Sequence, residues 1–180
     1  MKILKNNLTN ELNIRTEKDY PIEGMEFIDI TPLISQKETL EEITDKFVEE
    51  LTGKKIDYIV APEARGFLFG APVAFKLGCG LIPVRKKGKL PPTVVESSFE
   101  YEKEYGRDNL ELPKLSKGES YAGKRVYLID DIYATGNTMS SIKLALTEAG
   151  AIVLGEGVVM NIKALNSNDK LFSLLDVEEE

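Results

Sequence analysis

The sequence predicts an α/β fold in which a central, mostly parallel sheet is flanked by helices, and two observations lead to this class. Short apolar runs of strand length alternate along the chain with longer segments whose apolar residues recur at helical intervals. The run over 125–129 is almost continuously apolar, which is typical of a central parallel strand covered on both faces. Strand–helix alternation of this kind argues for parallel pairing in one sheet.

The first half of the chain contains the clearest helical pattern. After a segment with capping-box spacing over 35–38, apolar residues recur at helical intervals: Leu40, Ile43, Phe47 and Leu51. Pro83 indicates that the strand containing it lies at an edge or begins there. The predicted elements of this half are, in order, a helix over about 36–51, a strand over 57–61, a turn over 62–66, a helix over 67–77 and a strand over 81–85.

The pattern changes between 86 and about 117, where prolines, glycines and clustered charges interrupt short alternating segments. A long excursion of this kind predicts a mobile hairpin that serves as an active-site lid. Regular order returns with the strand over 125–129, a helix over 138–149 ended by Gly150, and a strand over 151–160. The acidic end over 176–180 is expected to be a solvated tail.

Composition restricts the classes of function. At 180 residues the chain fits a single domain over 1–180, and its 42% hydrophobic and 29% charged residues are ordinary for a globular protein. A net charge of −7 gives no general electrostatic reason to bind nucleic acid or an anionic membrane. Histidine is absent, which excludes Ser-His-Asp triads, His metal sites and imidazole proton shuttles. Acid–base work must therefore fall to carboxylates, lysines or tyrosines.

Two features bear on the compartment. The first residues lack the apolar core of a secretory signal, and no run approaches the roughly 20 apolar residues of a membrane span, so we expect a cytoplasmic protein. The lone Cys79 cannot form an intrachain disulfide, which agrees with a reducing compartment. Its apolar neighbours indicate a buried structural thiol rather than a nucleophile.

The most informative segment follows the strand that is predicted to end at residue 129. Asp130 and Asp131 stand at its carboxyl end, where ligands bind in open α/β sheets. A loop then leads to the start of the next helix, where unpaired N–H groups and the helix dipole favour an anion. The residues predicted to bind that anion are Ala134, Thr135, Gly136, Asn137 and Thr138. This pairing suits a sugar phosphate, whose monoester binds the loop while both carboxylates accept hydrogen bonds from ribose hydroxyls.

The alternative for this segment is a capped helix whose preceding aspartates only solvate a turn. A lone Thr-Gly-x-Thr would favour that alternative, but the apolar strand, both aspartates and the spacing occur together here. The sequence contains neither a Walker loop nor the Gly-x-Gly-x-x-Gly of dinucleotide-binding proteins.

The segment YLIDDIYATGNT over 127–138 resembles the 5-phosphoribosyl-1-pyrophosphate (PRPP) signature of type I phosphoribosyltransferases. Further segments resemble the adenine phosphoribosyltransferase family: YPIEGMEFIDITP over 20–32, EARGFLFG over 63–70, RKKGKLP over 85–91 and EYG over 104–106. The resemblance extends over roughly 20–171. It implies a type I phosphoribosyltransferase-like fold with an N-terminal base-binding hood over 1–34 and a flexible lid over 86–117.

The resemblance also implies a reaction, in which adenine and PRPP give AMP and pyrophosphate. Mg²⁺ would be carried by PRPP, with no direct protein ligand, and the partners would be PRPP, a purine base and a second copy in a homodimer. A 6-oxopurine phosphoribosyltransferase and a PRPP-sensing regulator are the alternative functions. Against a regulator, the chain has no helix-turn-helix pattern and no basic charge suited to nucleic acid.

Individual site residues follow from the same resemblance. Asp130 and Asp131 would bind the ribose, and Glu104 would assist proton transfer at the purine as the catalytic residue. The residues implied in pyrophosphate binding are Glu63, Ala64, Arg65, Lys86 and Lys89, with Arg85 reaching across a homodimer interface. Those implied in base binding are Met25, Phe27, Ile28 and Val159. The peptide between Glu63 and Ala64 would be cis.

Several of these assignments have independent support or an open alternative. Residues 85–89 form the densest basic cluster of an acidic chain, which suggests a site for a polyanion. Ile28 stands where adenine-specific relatives commonly have an arginine, which leaves the identity of the base open. Asn137 replaces a second glycine and tolerates left-handed backbone angles. The lid is about two residues longer than usual before Glu104, so Glu102 is the alternative catalytic carboxylate.

Overall fold

The computed structural model describes residues 2–5, 8–9, 14–20, 22–24, 26–103 and 106–178. Its strands are β1 (Lys2–Lys5), β2 (Arg15–Lys18), β3 (Glu26–Asp29), β4 (Tyr58–Pro62), β5 (Gly80–Lys86), β6 (Val95–Lys103), β7 (Gly106–Pro113), β8 (Arg125–Tyr133), β9 (Ile152–Ile162) and β10 (Phe172–Glu178). Its α-helices are α1 (Thr31–Ser35), α2 (Lys37–Leu51), α3 (Arg65–Leu77) and α4 (Asn137–Glu148), with 3₁₀ turns at Pro92–Val94 and Lys163–Leu165.

Within these residues the strands form an eight-stranded sheet and a separate two-stranded sheet. The large sheet has the order β1-β10-β9-β8-β4-β5-β7-β6, and the small one pairs β2 with β3. Strands β10, β9, β8, β4 and β5 are parallel, whereas β1, β7 and β6 pair antiparallel towards the two edges. The predicted α/β class with a mostly parallel central sheet is confirmed.

Two apolar clusters cover the two faces of the large sheet. Ile59 and Tyr127 belong to one cluster, while their chain neighbours Val60 and Val126 belong to the other. Because successive side chains of a strand point to opposite faces, the clusters lie on opposite sides of the sheet. Helices α2 and α3 bury their apolar residues in the first cluster and α4 buries its own in the second. The central strands are therefore covered on both faces, as their apolar composition predicts.

The helix predicted over 36–51 is α2, but it does not begin with a capping box. The segment before it forms the short helix α1, and Gln36 between the two helices is extended, with φ −100° and ψ 119°. No side chain caps the first turn of α2. The spacing of serine and glutamate over 35–38 was a misleading signal, because Ser35 is itself the last residue of a helix.

Strand β8 is longer than its predicted counterpart over 125–129. It continues through both aspartates to Tyr133, because β9 keeps pairing with it as far as Tyr133 and Asn161. The prediction that the strand ends at residue 129 is therefore wrong. The loop between β8 and α4 is shorter than expected, and it consists only of residues 134–136.

The excursion over 86–117 contains the predicted hairpin, formed by β6 and β7. Its strand β7 joins the large sheet beside β5, where Arg85 pairs with Glu111 and Lys86 with Leu110. Pro83 lies before this pairing begins, so β7 does not pair with β5 at Pro83. Strand β5 as a whole lies between β4 and β7 and begins at Gly80, so the expectation of an edge strand or a strand start holds only locally, where β7 does not pair. The mobility of the hairpin stays a prediction.

The acidic end was predicted to be a solvated tail, and this is wrong for residues up to 178. They form β10, between β9 and β1, and Asp176 is buried. The carboxylate of Asp176 pairs with Lys163 Nζ at 2.7 Å and accepts a hydrogen bond from Ser173. Acidic composition misled the prediction because the charge of Asp176 is neutralised by contacts within the fold.

Two further expectations concern Cys79 and membranes. Cys79 is partly buried against the core, and this burial raises the pKa of its thiol, which agrees with a structural rather than a nucleophilic role. Across the described part of the chain, no helix has the length and apolar character needed to span a membrane.

Candidate active site

A cleft of about 540 Å³ opens at the carboxyl ends of β4 and β8, beneath the β2–β3 sheet. It is lined by residues of the hood, of the turn after β4, of the hairpin and of the segment from β8 into α4. Those with predicted roles are Phe27, Ile28, Glu63, Ala64, Arg65, Lys86, Glu102, Asp130, Asp131, Ala134, Thr135, Gly136, Asn137 and Thr138. Most residues predicted for ribose, phosphate and pyrophosphate are therefore brought together.

The loop from β8 into α4 presents the start of a helix to this cleft. Gly136, the residue before α4, adopts a left-handed conformation with φ +82°. Within the described part of the chain, no backbone carbonyl accepts a hydrogen bond from the N–H groups of Thr135, Gly136 or Asn137. Free N–H groups at the positive end of a helix dipole can bind an anion such as a phosphate monoester.

Gly136 is required for a second reason besides its backbone angles. A Cβ atom at this position would lie 2.2 Å from the hydroxyl oxygen of Tyr133, far inside van der Waals contact. The phenol of Tyr133 therefore packs directly beneath the loop and fills the space that a side chain would need. The sequence motif predicts Gly136, but it does not indicate that the ring of Tyr133 packs beneath this glycine.

The two aspartates differ in their surroundings. Asp130 is partly exposed at the cleft, yet desolvation by the protein around it raises its pKa well above the ordinary value, and the charge of Asp131 raises it further. Asp131 is buried, and its Oδ2 pairs with Arg65 Nε at 2.5 Å. The backbone N–H of Asp131 donates to Asp130 Oδ1 at 2.8 Å, which holds the Asp130 carboxylate against the backbone of Asp131.

Arg65 connects three parts of the site. Besides its ion pair with Asp131, its Nη1 donates to the carbonyl of Ile28 at 3.3 Å. Its guanidinium carbon lies 5.7 Å from the centroid of the Phe27 ring, within the range of a cation–π contact. Arg65 therefore supplies positive charge between the hood and the aspartates. These contacts join residues far apart in the chain, so the sequence could not indicate them.

The carboxylate of Glu63 is not free to face a ligand, because it binds and orients the basic segment that begins at Arg85. Its Oε2 accepts hydrogen bonds from Arg85 Nε at 3.0 Å and from the Lys86 backbone N–H at 2.9 Å. Partial burial raises the pKa of Glu63, but these bonds outweigh that effect and lower its pKa overall. The peptide between Glu63 and Ala64 is cis, as the resemblance implies. Lys86 lines the cleft, whereas Arg85 and Lys89 are not among its lining residues.

The residues predicted to bind the base are only partly brought together. Phe27 lines the cleft, and Tyr20, which sequence reasoning did not single out, meets its ring edge to face at 5.3 Å between centroids. Ile28 also lines the cleft, although most of its side chain is buried in the core. Val159 is fully buried at 0% exposure, packs in the same core cluster and does not line the cleft. Met25 lies outside the described residues.

The lid contributes the aromatic and acidic residues of β6. Glu102 lines the cleft, and Arg107 Nη2 lies 3.4 Å from Glu102 Oε1 across the hairpin. Tyr101 is buried and also lines the cleft. Glu104, the predicted catalytic residue, lies outside the described residues. The choice between Glu104 and Glu102 therefore rests on the sequence and on experiment.

Taken together, the cleft presents an anion site, a carboxylate pair, cationic side chains and an aromatic face. The anion site and the carboxylates suit a phosphorylated sugar, and Arg65 and Lys86 offer positive charge to a second anionic group. The ring of Phe27 offers a surface on which a planar heterocycle can stack. The arrangement can therefore hold a sugar phosphate, a diphosphate and a base side by side.

Comparison with known proteins agrees with this geometry. A family model described as a phosphoribosyl transferase domain matches residues 34–170. The adenine phosphoribosyltransferase of Clostridium acetobutylicum is 48% identical over 159 residues, which are 88% of this chain and 90% of the relative.

Solved structures give the same result. The crystal structure of adenine phosphoribosyltransferase from Thermoanaerobacter pseudethanolicus is similar with a TM-score of 0.82 at 38% identity, covering 91% of this chain and 95% of that one. The Saccharomyces cerevisiae enzyme, complexed with an imino-altritol bisphosphate and adenine, gives a TM-score of 0.79 at 36% identity over 89% and 93% of the two chains. The chain belongs to the adenine phosphoribosyltransferase family.

Proposed function

We propose that this protein transfers the 5-phosphoribosyl group of PRPP to adenine, giving AMP and pyrophosphate. The observation that carries the proposal is the convergence in one cleft of the aspartate pair, the anion-binding loop before α4 and the aromatic face of Phe27. These groups match the sugar hydroxyls, the 5′-phosphate and the base of the product. The family to which the chain belongs and the adenine bound to the yeast relative support the same assignment.

In the proposed reaction the bond between the anomeric carbon and the pyrophosphate oxygen breaks as a bond to a purine nitrogen forms. Positive charge develops on the ribosyl centre, and the departing pyrophosphate takes the electron pair of the broken bond. Asp130 and Asp131 would hold the ribose hydroxyls, while Arg65 and Lys86 would stabilise the leaving group. Binding both substrates in line accounts for a further large part of the rate enhancement.

Proton transfer at the purine is assigned to the lid. Glu104 is the proposed catalytic residue, and Glu102, which lines the cleft, is the alternative carboxylate. The purine loses one N–H proton as the new bond forms, so the carboxylate acts as a base that accepts this proton, and closure of the lid over the base would desolvate the carboxylate and raise its affinity for the proton.

Mg²⁺ is proposed to enter with PRPP, because the oxygens of a pyrophosphate group are the hard ligands that this ion prefers. The residues that face the bound substrate fit this arrangement, since Asp130 and Asp131 provide hard oxygen atoms for hydroxyls or for water molecules of the ion. The ion would neutralise charge on the leaving group. Turnover should stop on addition of a chelator and return when Mg²⁺ is restored.

A homodimer is proposed as the working assembly. Helix α3 carries Leu68 and Phe75 on its surface with 44% and 86% of their area exposed. They stand seven residues, or about two turns, apart and so share one helix face, and an apolar patch on one face suits an interaction surface. Arg85 lies on the strand that follows α3 and its guanidinium carbon is 5.9 Å from the ring centroid of Phe67. A second copy packed on α3 would bring that strand close to the neighbouring cleft.

The identity of the base is tested by steady-state kinetics with adenine, hypoxanthine and guanine at saturating PRPP. The hood offers an aromatic surface in Phe27 and Tyr20, and the cation beside it, Arg65, is already engaged by Asp131 and by the Ile28 carbonyl, so it is poorly placed to donate to the exocyclic oxygen of a 6-oxopurine. An unmatched buried polar pair costs about 1–3 kcal/mol, so we expect kcat/KM for adenine to exceed that for either oxopurine by at least about 10²-fold. Equal or greater activity on hypoxanthine would contradict the assignment.

A further inference from the structure

A group of asparagines that do not line the cleft contacts the anion-binding loop. Asn166 follows the 3₁₀ turn Lys163–Leu165, and its Nδ2 donates to the carbonyl of Ala134 at 2.9 Å. The same amide nitrogen lies 2.9 Å from Asn161 Oδ1 and 3.0 Å from the carbonyl of Ile162. One side chain therefore joins the end of β9 to the first residue of the loop.

The hydrogen bond to Ala134 has a consequence for the next residue. The peptide between Ala134 and Thr135 is trans, since the cis peptide found in the described residues joins Glu63 and Ala64. A trans peptide is planar and directs its C=O and N–H to opposite sides. Holding the Ala134 carbonyl towards Asn166 therefore turns the Thr135 N–H the other way, towards the cleft that both residues line.

We propose that Asn166 is a positioning residue for the 5′-phosphate: it holds the Ala134–Thr135 peptide so that the Thr135 N–H faces the phosphate. This inference rests on the proposed function, because it takes the anion of that loop to be the 5′-phosphate of PRPP and AMP. The loop is short, so a rotation of this one peptide would replace a hydrogen-bond donor in the site with a carbonyl oxygen.

A second asparagine supports the loop at its other end. Asn168 Nδ2 lies 3.2 Å from the hydroxyl of Tyr133, the ring that packs beneath Gly136, and donates to Glu156 Oε1 at 2.8 Å. Lys143 Nζ also pairs with Glu156 Oε1 at 2.8 Å, which anchors this contact to α4. The backbone N–H of Asn168 donates to Asn166 Oδ1 at 3.2 Å, so the two supports are joined.

The test compares two ligands of the whole protein by calorimetry. AMP carries the 5′-phosphate, whereas pyrophosphate would bind the cationic part of the cleft at Arg65 and Lys86 and would not need the loop. Asn166→Ala should weaken AMP binding at least tenfold, about 1.4 kcal/mol, and change pyrophosphate binding less than about twofold. Asn166→Asp keeps the shape and the acceptor for Asn168 but removes the donor, so its loss for AMP should be at least as large.

Ser167→Ala is the matched control, because it changes an exposed side chain in the same turn and should leave both ligands unaffected. AMP affinity within twofold of the wild type in either folded Asn166 variant would overturn the inference. Equal losses for AMP and pyrophosphate would also overturn it, since they would indicate a general disturbance of the cleft. A wild-type protein that binds no AMP would instead contradict the proposed function.

Discussion

At the scale of single residues, the site contains a carboxylate that costs stability. Desolvation, reinforced by the charge of Asp131, raises the pKa of Asp130. A carboxyl group whose pKa is higher in the folded than in the unfolded state binds more protons when folded. Its contribution to stability therefore becomes less favourable as the pH rises from about 4, the ordinary value, through the raised pKa of the folded state.

Asp130→Asn removes this titration while keeping the oxygen that accepts from the Asp131 N–H. We expect the variant to have a higher melting temperature than the wild type at pH 7, a difference that shrinks towards pH 4, and weaker binding of PRPP. Thermal unfolding across this pH range and calorimetry with PRPP measure the two effects. The exposed Asp169 offers the control substitution Asp169→Asn, which should give little change at any pH. A melting temperature for Asp130→Asn at or below the wild-type value at pH 7 would contradict the expectation.

Some contacts of the site join neighbouring residues of one segment, and others join segments that are far apart in the chain. The anion-binding loop could be predicted, because its strand, aspartates, threonines and glycine follow one another in a single segment. The contact of Arg65 with Asp131 and that of Glu63 with Arg85 could not, since each joins different segments that meet only in the folded sheet. Asn166 also lacked a sequence signal, because an asparagine in a polar loop looks like any other turn residue.

At the scale of elements, periodicity identified the strands and helices of the central layers. Helices α2, α3 and α4 and strands β4, β5, β8 and β9 have amphipathic or continuously apolar patterns, so burial determines both their sequence and their structure. Strands β1 and β10 were missed because β1 is only four residues long and the acidic residues at the end of β10 indicated a solvated tail. Strands β2 and β3 are largely exposed, so they lack the alternation that would reveal them.

The lid hairpin allows a test of which glutamate takes part in proton transfer. Glu104→Gln keeps the shape of the side chain but removes the titrating carboxyl, so kcat should fall by about 10²-fold, at the low end of acid–base effects. Glu102→Gln is the matched control two residues earlier in the chain, where Glu102 lies close to Arg107. Pre-steady-state measurement of the chemical step separates the two. Slowing by the Glu102 change alone would transfer the catalytic role to Glu102.

At the scale of the whole molecule, α3 is the helix whose outer face the proposed dimer would cover. This helix packs its inner face against the sheet through residues such as Phe69 and Val73, yet it presents Phe75 to solvent on the other side. A phenylalanine exposed over 86% of its surface gains little hydrophobic stabilisation in a single copy. In a two-fold symmetric dimer the same residue occurs in both halves of the interface, so its burial counts twice.

Phe75→Glu should therefore convert the proposed dimer into a monomer. Burying a phenylalanine side chain contributes about 2 kcal/mol, so losing it in both copies costs about 4 kcal/mol, or roughly 10³-fold in the dissociation constant, before the repulsion between two carboxylates is added. Sedimentation velocity over a range of concentrations measures the change. Leu144→Glu provides the control, because Leu144 is also a large exposed apolar residue, at 61%, but lies on α4. We expect that variant to remain dimeric. A monomeric wild type would contradict the proposed assembly, and a dimer that tolerates the Phe75 change would place its interface elsewhere than on α3.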